Sequence, residues 1–131
     1  MKTQLKNIIS IICMVFIVFA CSKKDDATPA TGSRAIKYEI TGNYTGKFTL
    51  VGMTNNDNFE IMEVSKLPWK LEFTAKQGIT YVLIQGNGNG GVTGQTATLK
   101  TYVGGQEVAS GAGTALSSGY ISVTNKQYFL K

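Results

Sequence analysis

The sequence predicts an all-β fold, an antiparallel sandwich or a small barrel, on three observations. From Arg34 onward the chain runs in short segments that alternate apolar and polar residues. Breaks rich in glycine and asparagine separate those segments, which is the pattern of strands joined by turns. Nothing after Phe19 keeps a helical period for three turns. This many strands in about a hundred residues pack as two antiparallel sheets or close into a barrel.

The first strand is Ala35-Ile36-Lys37-Tyr38-Glu39-Ile40, apolar at even positions and mostly polar at odd ones, so one face is buried. Similar runs follow at Gly46 to Val51, Phe59 to Val64, Trp69 to Ala75 and Ile79 to Gln85. Further runs cover Ala97 to Val103, Gln106 to Ser110 and Gly119 to Val123, and Gln127 to Leu130 closes the chain. Gly104-Gly105 lies between two of these runs and reads as a two-residue hairpin turn, because primed turns need a positive φ that glycine adopts without a clash. The stretch from Gly86 to Gly94 reads as a longer, mobile loop between strands. Its G-x-G-x-G-G spacing invites comparison with nucleotide-binding fingerprints, yet no helix follows to face a phosphate and no Gly-Lys-Ser/Thr occurs.

Leu67-Pro68-Trp69 starts a strand at a residue whose φ is fixed and whose amide donor is missing. Trp69, Leu71, Phe73 and Ala75 share one face, alternating with Lys70, Glu72 and Thr74. Trp69 is therefore expected at the rim of the core, with a surface platform for sugar as the alternative.

The N-terminal end has a different character. Lys2 and Lys6 precede an apolar run from Ile8 to Phe19, the layout of an export signal. Twelve helical residues span about 18 Å, well short of the roughly 30 Å hydrocarbon core that a spanning helix must cross. Val18-Phe19-Ala20-Cys21 resembles the lipobox of bacterial prolipoproteins, with Val18 and Ala20 in its aliphatic and small positions. Phe19 is larger than the residue usual between them. Cys13 does not fit, since Ile12 and Ser10 stand where the small and aliphatic residues belong. The expectation is a signal peptide over 1–20, cleavage before Cys21, and a lipid on Cys21 that anchors the chain, since stable anchoring needs more than one acyl chain and a diacylglyceryl group with an N-acyl chain meets that need.

Residues 21–33 then read as the lipidated cysteine and a flexible tether, charged at first and afterwards rich in Ala, Thr, Pro and Gly. Cys21-Ser22-Lys23-Lys24-Asp25-Asp26 resembles the lysine-then-acidic export signal of Bacteroidota-type surface lipoproteins, displaced by one residue. The resemblance implies a place in the outer membrane, exposed at the surface. The single globular domain is expected over 34–131.

Composition excludes several kinds of function. The chain has no histidine, and after Cys21 it has no cysteine. The common zinc, copper and haem sites thus lack their usual ligands, and Ser-His-Asp or Cys-His catalysis lacks its base. No cofactor and no metal site is expected. The formal charge of +5 includes Lys2 and Lys6, so cleavage leaves +3, with scattered lysines and no basic helix for nucleic acid. Paired carboxylates can run glycosidic chemistry without histidine, which leaves Glu39, Glu60, Glu63 and Glu72 as candidates. In alternating strands these side chains face solvent, so a non-enzymatic protein is expected.

Tyr38-Glu39-Ile40-Thr41-Gly42, Leu67-Pro68-Trp69 and Leu99-Lys100-Thr101-Tyr102-Val103-Gly104-Gly105-Gln106 are ordered and spaced as in the mycobacterial small membrane protein (MmpS-type) domain, which the chain resembles over nearly all of 34–131. The resemblance implies an immunoglobulin-like antiparallel β-sandwich of about seven to eight strands. For the mycobacterial members it also implies an accessory role beside lipid-exporting transporters. Those members have a membrane-spanning helix and a cysteine pair near the last strands, and neither has a counterpart here. The expected function is a lipid-anchored binding or scaffolding module of the cell envelope, with an accessory subunit of an export or efflux transporter as the alternative. Its expected partners are the membrane, through the lipid, and an envelope protein.

Overall fold

The computed structural model describes residues 32–131. The expected signal peptide, Cys21 and the tether up to residue 31 lie outside the described residues. Ten strands follow one another: β1 (Ala35–Gly42), β2 (Lys47–Met53), β3 (Phe59–Val64), β4 (Trp69–Thr74), β5 (Tyr81–Val82), β6 (Ile84–Asn89), β7 (Thr96–Val103), β8 (Gln106–Thr114), β9 (Ile121–Thr124) and β10 (Tyr128–Phe129).

Eight of them form an antiparallel β-sandwich. The first sheet has the order β4-β1-β7-β8 and the second the order β3-β2-β6-β9, while β10 and β5 make a two-stranded ribbon. The immunoglobulin order places the first strand at a sheet edge. In this chain β1 is interior, between β4 and β7. Among the described residues no helix is long and apolar enough to cross a membrane.

The core follows the two-residue period. Ile36, Tyr38 and Ile40 of β1, Phe48 and Leu50 of β2, Leu99 of β7 and Ile121 and Val123 of β9 are all buried. Burying each such side chain contributes on the order of 1.5–3 kcal/mol. Tyr38 brings a hydroxyl into this interior, and it donates to the Met53 carbonyl at 2.7 Å. Before β1, Arg34 donates through Nε to the Ala75 carbonyl at 2.9 Å and through Nη2 to those of Lys76 and Ile79. That clamp satisfies three carbonyls of the chain leaving β4.

The two sheets meet along one seam, β8 against β9. Leu99 pairs with Gly111 and Ala97 with Gly113, so both glycines face inward. A Cβ at Gly111 would lie 2.0 Å from the Thr124 carbonyl oxygen, and one at Gly113 would lie 2.3 Å from that of Ser122. Only a side chain of hydrogen lets the backbones approach this closely. Asn125, buried just past β9, crosses the seam and donates to Thr101 Oγ1 at 3.0 Å and to the Ala109 carbonyl at 3.2 Å.

Most expected strands stand within a few residues of their runs, and the turn at Gly104-Gly105 does so with φ of 57° and 83°. Two expectations are corrected. The run from Ile79 to Gln85 is not one strand, because the Leu83 carbonyl accepts from the Met53 amide at 3.0 Å and the chain passes there from the ribbon into the second sheet. The stretch Gly86 to Gly94 is not a single mobile loop. Its first four residues belong to β6, an interior strand of the second sheet, and only the remainder connects β6 to β7. Packing around Tyr44 is the reason.

Candidate functional site

Tyr44 lies in the connection between β1 and β2 with its ring turned into the end of the sandwich and 3% of its surface exposed. Its hydroxyl donates to the Gly119 carbonyl at 2.7 Å, and its ring lies 4.8 Å from that of Phe48. The ring needs a wall without side chains. A Cβ on Gly88 would come within 2.6 Å of Tyr44 Cε1, and a Cβ on Gly91 within 2.1 Å of Cε2. Leu50 imposes the same condition on Gly86, where a Cβ would lie 2.4 Å from Leu50 Cδ2. Side chains from elsewhere therefore fill the core under β6, and Gly86 and Gly88 hold the inward positions of the strand.

Because successive residues point to opposite faces, Gln85, Asn87 and Asn89 stand on the outer face of the second sheet, and all three are exposed. Register places Thr49 beside Asn87 on one side and Ser122 beside it on the other. Thr124 pairs with Gln85. Tyr120, just before β9, donates its hydroxyl to Asn87 Oδ1 at 2.8 Å. That bond occupies the amide oxygen and leaves the two N–H donors of Asn87 directed away from it. The outward positions of β6 and β9 carry amides and hydroxyls and no charge.

Toward the other edge, the same sheet face carries exposed apolar side chains beside Glu63. Met62 and Val64 of β3 face in, opposite Leu50 and Phe48, so Phe59 and Ile61 face out, at 48% and 72% exposure. Edge strands usually carry charge at such positions, which blocks further pairing.

The outer face of the first sheet has opposite chemistry. Lys37 pairs with Glu39 and Lys70 with Glu72, both at 3.3 Å, and Lys100 pairs with Glu107 at 2.8 Å. Lys37 also sits 3.9 Å above the ring of Tyr102. Its hydrogen bond to Glu107 holds Lys100 above the usual lysine range. Exposed pairs of this kind contribute little to stability, about 0–1 kcal/mol each. They give a hydrated, charge-balanced surface.

Apart from Glu39 and Glu72, which share the outer face of the first sheet, the residues singled out by sequence are dispersed. Cys21 lies outside the described residues. Trp69 is partly buried and packs against the core at the start of β4, opposite Ile40. Glu39 and Glu72 lie on the outer face of the first sheet beside their lysines. Glu63 lies on the outer face of the second sheet and accepts from Thr49 Oγ1 at 3.0 Å, while Glu60 points to the other side of β3 and takes a hydrogen bond from Asn56. No group of three or more acidic residues that could hold a metal ion occurs among the described residues.

Sequence reasoning missed the β6 face. The signal was present as an alternation of size rather than hydropathy, Ile84, Gly86 and Gly88 against Gln85, Asn87 and Asn89. Comparison with protein-family models, curated proteins and solved structures finds no match for the chain.

Proposed function

We propose that the chain is a lipid-anchored protein of the cell envelope, held in the outer membrane through Cys21, whose β-sandwich is a non-enzymatic binding module. The observation that carries this reading is the outer face of the second sheet. Its interior strand carries exposed amides, one of them oriented by Tyr120, and its edge carries exposed Phe59 and Ile61. Glu39 and Glu72 each stand beside a lysine on the open outer face of the first sheet, and Glu60 and Glu63 lie on opposite sides of β3, an arrangement that supports binding rather than carboxylate catalysis. An anchor of several acyl chains and a tether of about a dozen residues would let the face turn away from the bilayer.

The exposed apolar edge favours a second reading, an accessory subunit docked on an export or efflux transporter. Apolar side chains on an edge strand suit a protein partner better than they suit solvent. Membrane fractionation tests the anchor: the wild-type chain is expected in the outer-membrane fraction and Cys21→Ala in the soluble fraction. Recovery of Cys21→Ala in the membrane would refute lipid anchoring. Crosslinking in intact cells tests the docked role, with a transporter captured by the wild type and lost in Ile61→Asp.

A further inference from the structure

The outer face along β6 and β9 has a chemistry of its own. Six outward side chains, Gln85, Asn87, Asn89, Tyr120, Ser122 and Thr124, supply hydrogen-bond donors and acceptors and no charge. Alternate residues of a strand lie about 6.7 Å apart, so the three amides span about 13 Å. Asparagine and glycine are depleted in strands, and an interior strand gains nothing in sheet propensity from them. Packing around Tyr44 and Leu50 accounts for the inward glycines. It does not account for the outward amides. Residues that weaken local consistency without a packing reason mark functional positions.

We propose that this face binds a neutral polysaccharide, resting on the reading of the domain as a binding module. Sugar hydroxyls both donate and accept, as amide and hydroxyl side chains do. Asn87 is set in advance for such a ligand, because Tyr120 satisfies its oxygen and leaves its N–H donors to a sugar oxygen. The exposed Tyr120 ring adds an apolar surface beside it. Beside these two strands, on β2 and β3, stand Lys47, across from Asn89, and Glu63, which accepts from Thr49, charges of opposite sign that offer an anionic polymer no row of cations. The protein-like anchors, Phe59 and Ile61, lie on β3, beyond β2 from these strands.

The experiment incorporates the lipidated full chain into liposomes and titrates labelled dextran, mannan, xylan and β-glucan, with dextran sulfate as the anionic control. At least one neutral polymer is expected to bind, and Asn87→Ala and Tyr120→Phe are each expected to weaken it about fivefold to tenfold, the loss of one or two hydrogen bonds. Melting of each variant checks that the fold persists. Binding of dextran sulfate alone, no binding of any neutral polymer at millimolar sugar, or equal binding by both variants would overturn the proposal. Loss of neutral-glycan binding to concentration-dependent pairing of the domain through this face would also overturn it. If no glycan binds while Ile61→Asp still abolishes transporter capture, the glycan site fails and the binding module stands.

Discussion

Strands β1 and β6 hold equivalent places, each interior to its sheet, and fill the core in opposite ways. β1 turns Ile36, Tyr38 and Ile40 inward, all buried. β6 turns in Ile84, Gly86 and Gly88, and the volume beneath it is taken by Leu50, Phe48, Ile121 and the Tyr44 ring. The difference teaches that a strand can belong to the core by leaving room as well as by occupying it. On β1 the buried side chains provide the stabilising contacts directly. On β6 the strand is held by its neighbours, and its outer face is free to carry residues chosen for something other than folding.

The largest expected effect comes from removing what fills that room. Tyr44→Ala takes away a buried ring together with its bond to the Gly119 carbonyl. A loss of about 4 kcal/mol is expected in urea unfolding. A loss below about 1 kcal/mol would mean that the glycines are not arranged around this ring.

Gly88→Ala approaches the same contact from the other side. The added methyl would lie 2.6 Å from Tyr44 Cε1 and 2.7 Å from Ile121 Cγ2, so overpacking of about 2 kcal/mol is expected. Gly105→Ala, a substitution at the hairpin turn, is a useful contrast. No atom stands within 4 Å of a Cβ there, and its cost comes from a φ of 83° alone, roughly 1 kcal/mol. Thermal melts of the two variants separate a spatial requirement from a conformational one.

That contrast explains how much of the fold was legible in the sequence. Gly104-Gly105 was readable because a two-residue turn is a local rule, settled by the residues themselves and the strands on either side. The role of Gly86 and Gly88 depends on Leu50 and Tyr44, contacts more than thirty residues away in sequence. Composition there reads as a loop, since glycine and asparagine favour turns. The strands of the first sheet were readable for the opposite reason, as their inward positions carry large apolar residues in a strict alternation. Of the candidate site, Trp69 was legible as a residue by its type, and the amide face was not, because it depends on recognising β6 as a strand.

β1 offers a smaller test through its own buried polar group. Burial pushes the Tyr38 phenol far above its usual pKa. Its folded pKa lies above the unfolded value of about 10, so the stability it confers is complete below pH 10 and is lost as pH rises. Native stability should therefore fall by up to about 1.4 kcal/mol per pH unit above pH 10. Tyr38→Phe should remove that slope while costing about 1 kcal/mol at neutral pH for the bond to the Met53 carbonyl. Urea titrations at pH 7, 10 and 11 measure both effects.

The central claim is that the outward amides of β6 serve a ligand and not the fold. Asn87→Thr tests it most directly, because threonine suits a strand better than asparagine and the only contact given up is an exposed bond from Tyr120. Measured by urea unfolding, the variant should match the wild type within about 0.5 kcal/mol or exceed it. A loss of more than about 1.5 kcal/mol would contradict the claim and make Asn87 a structural residue of the second sheet.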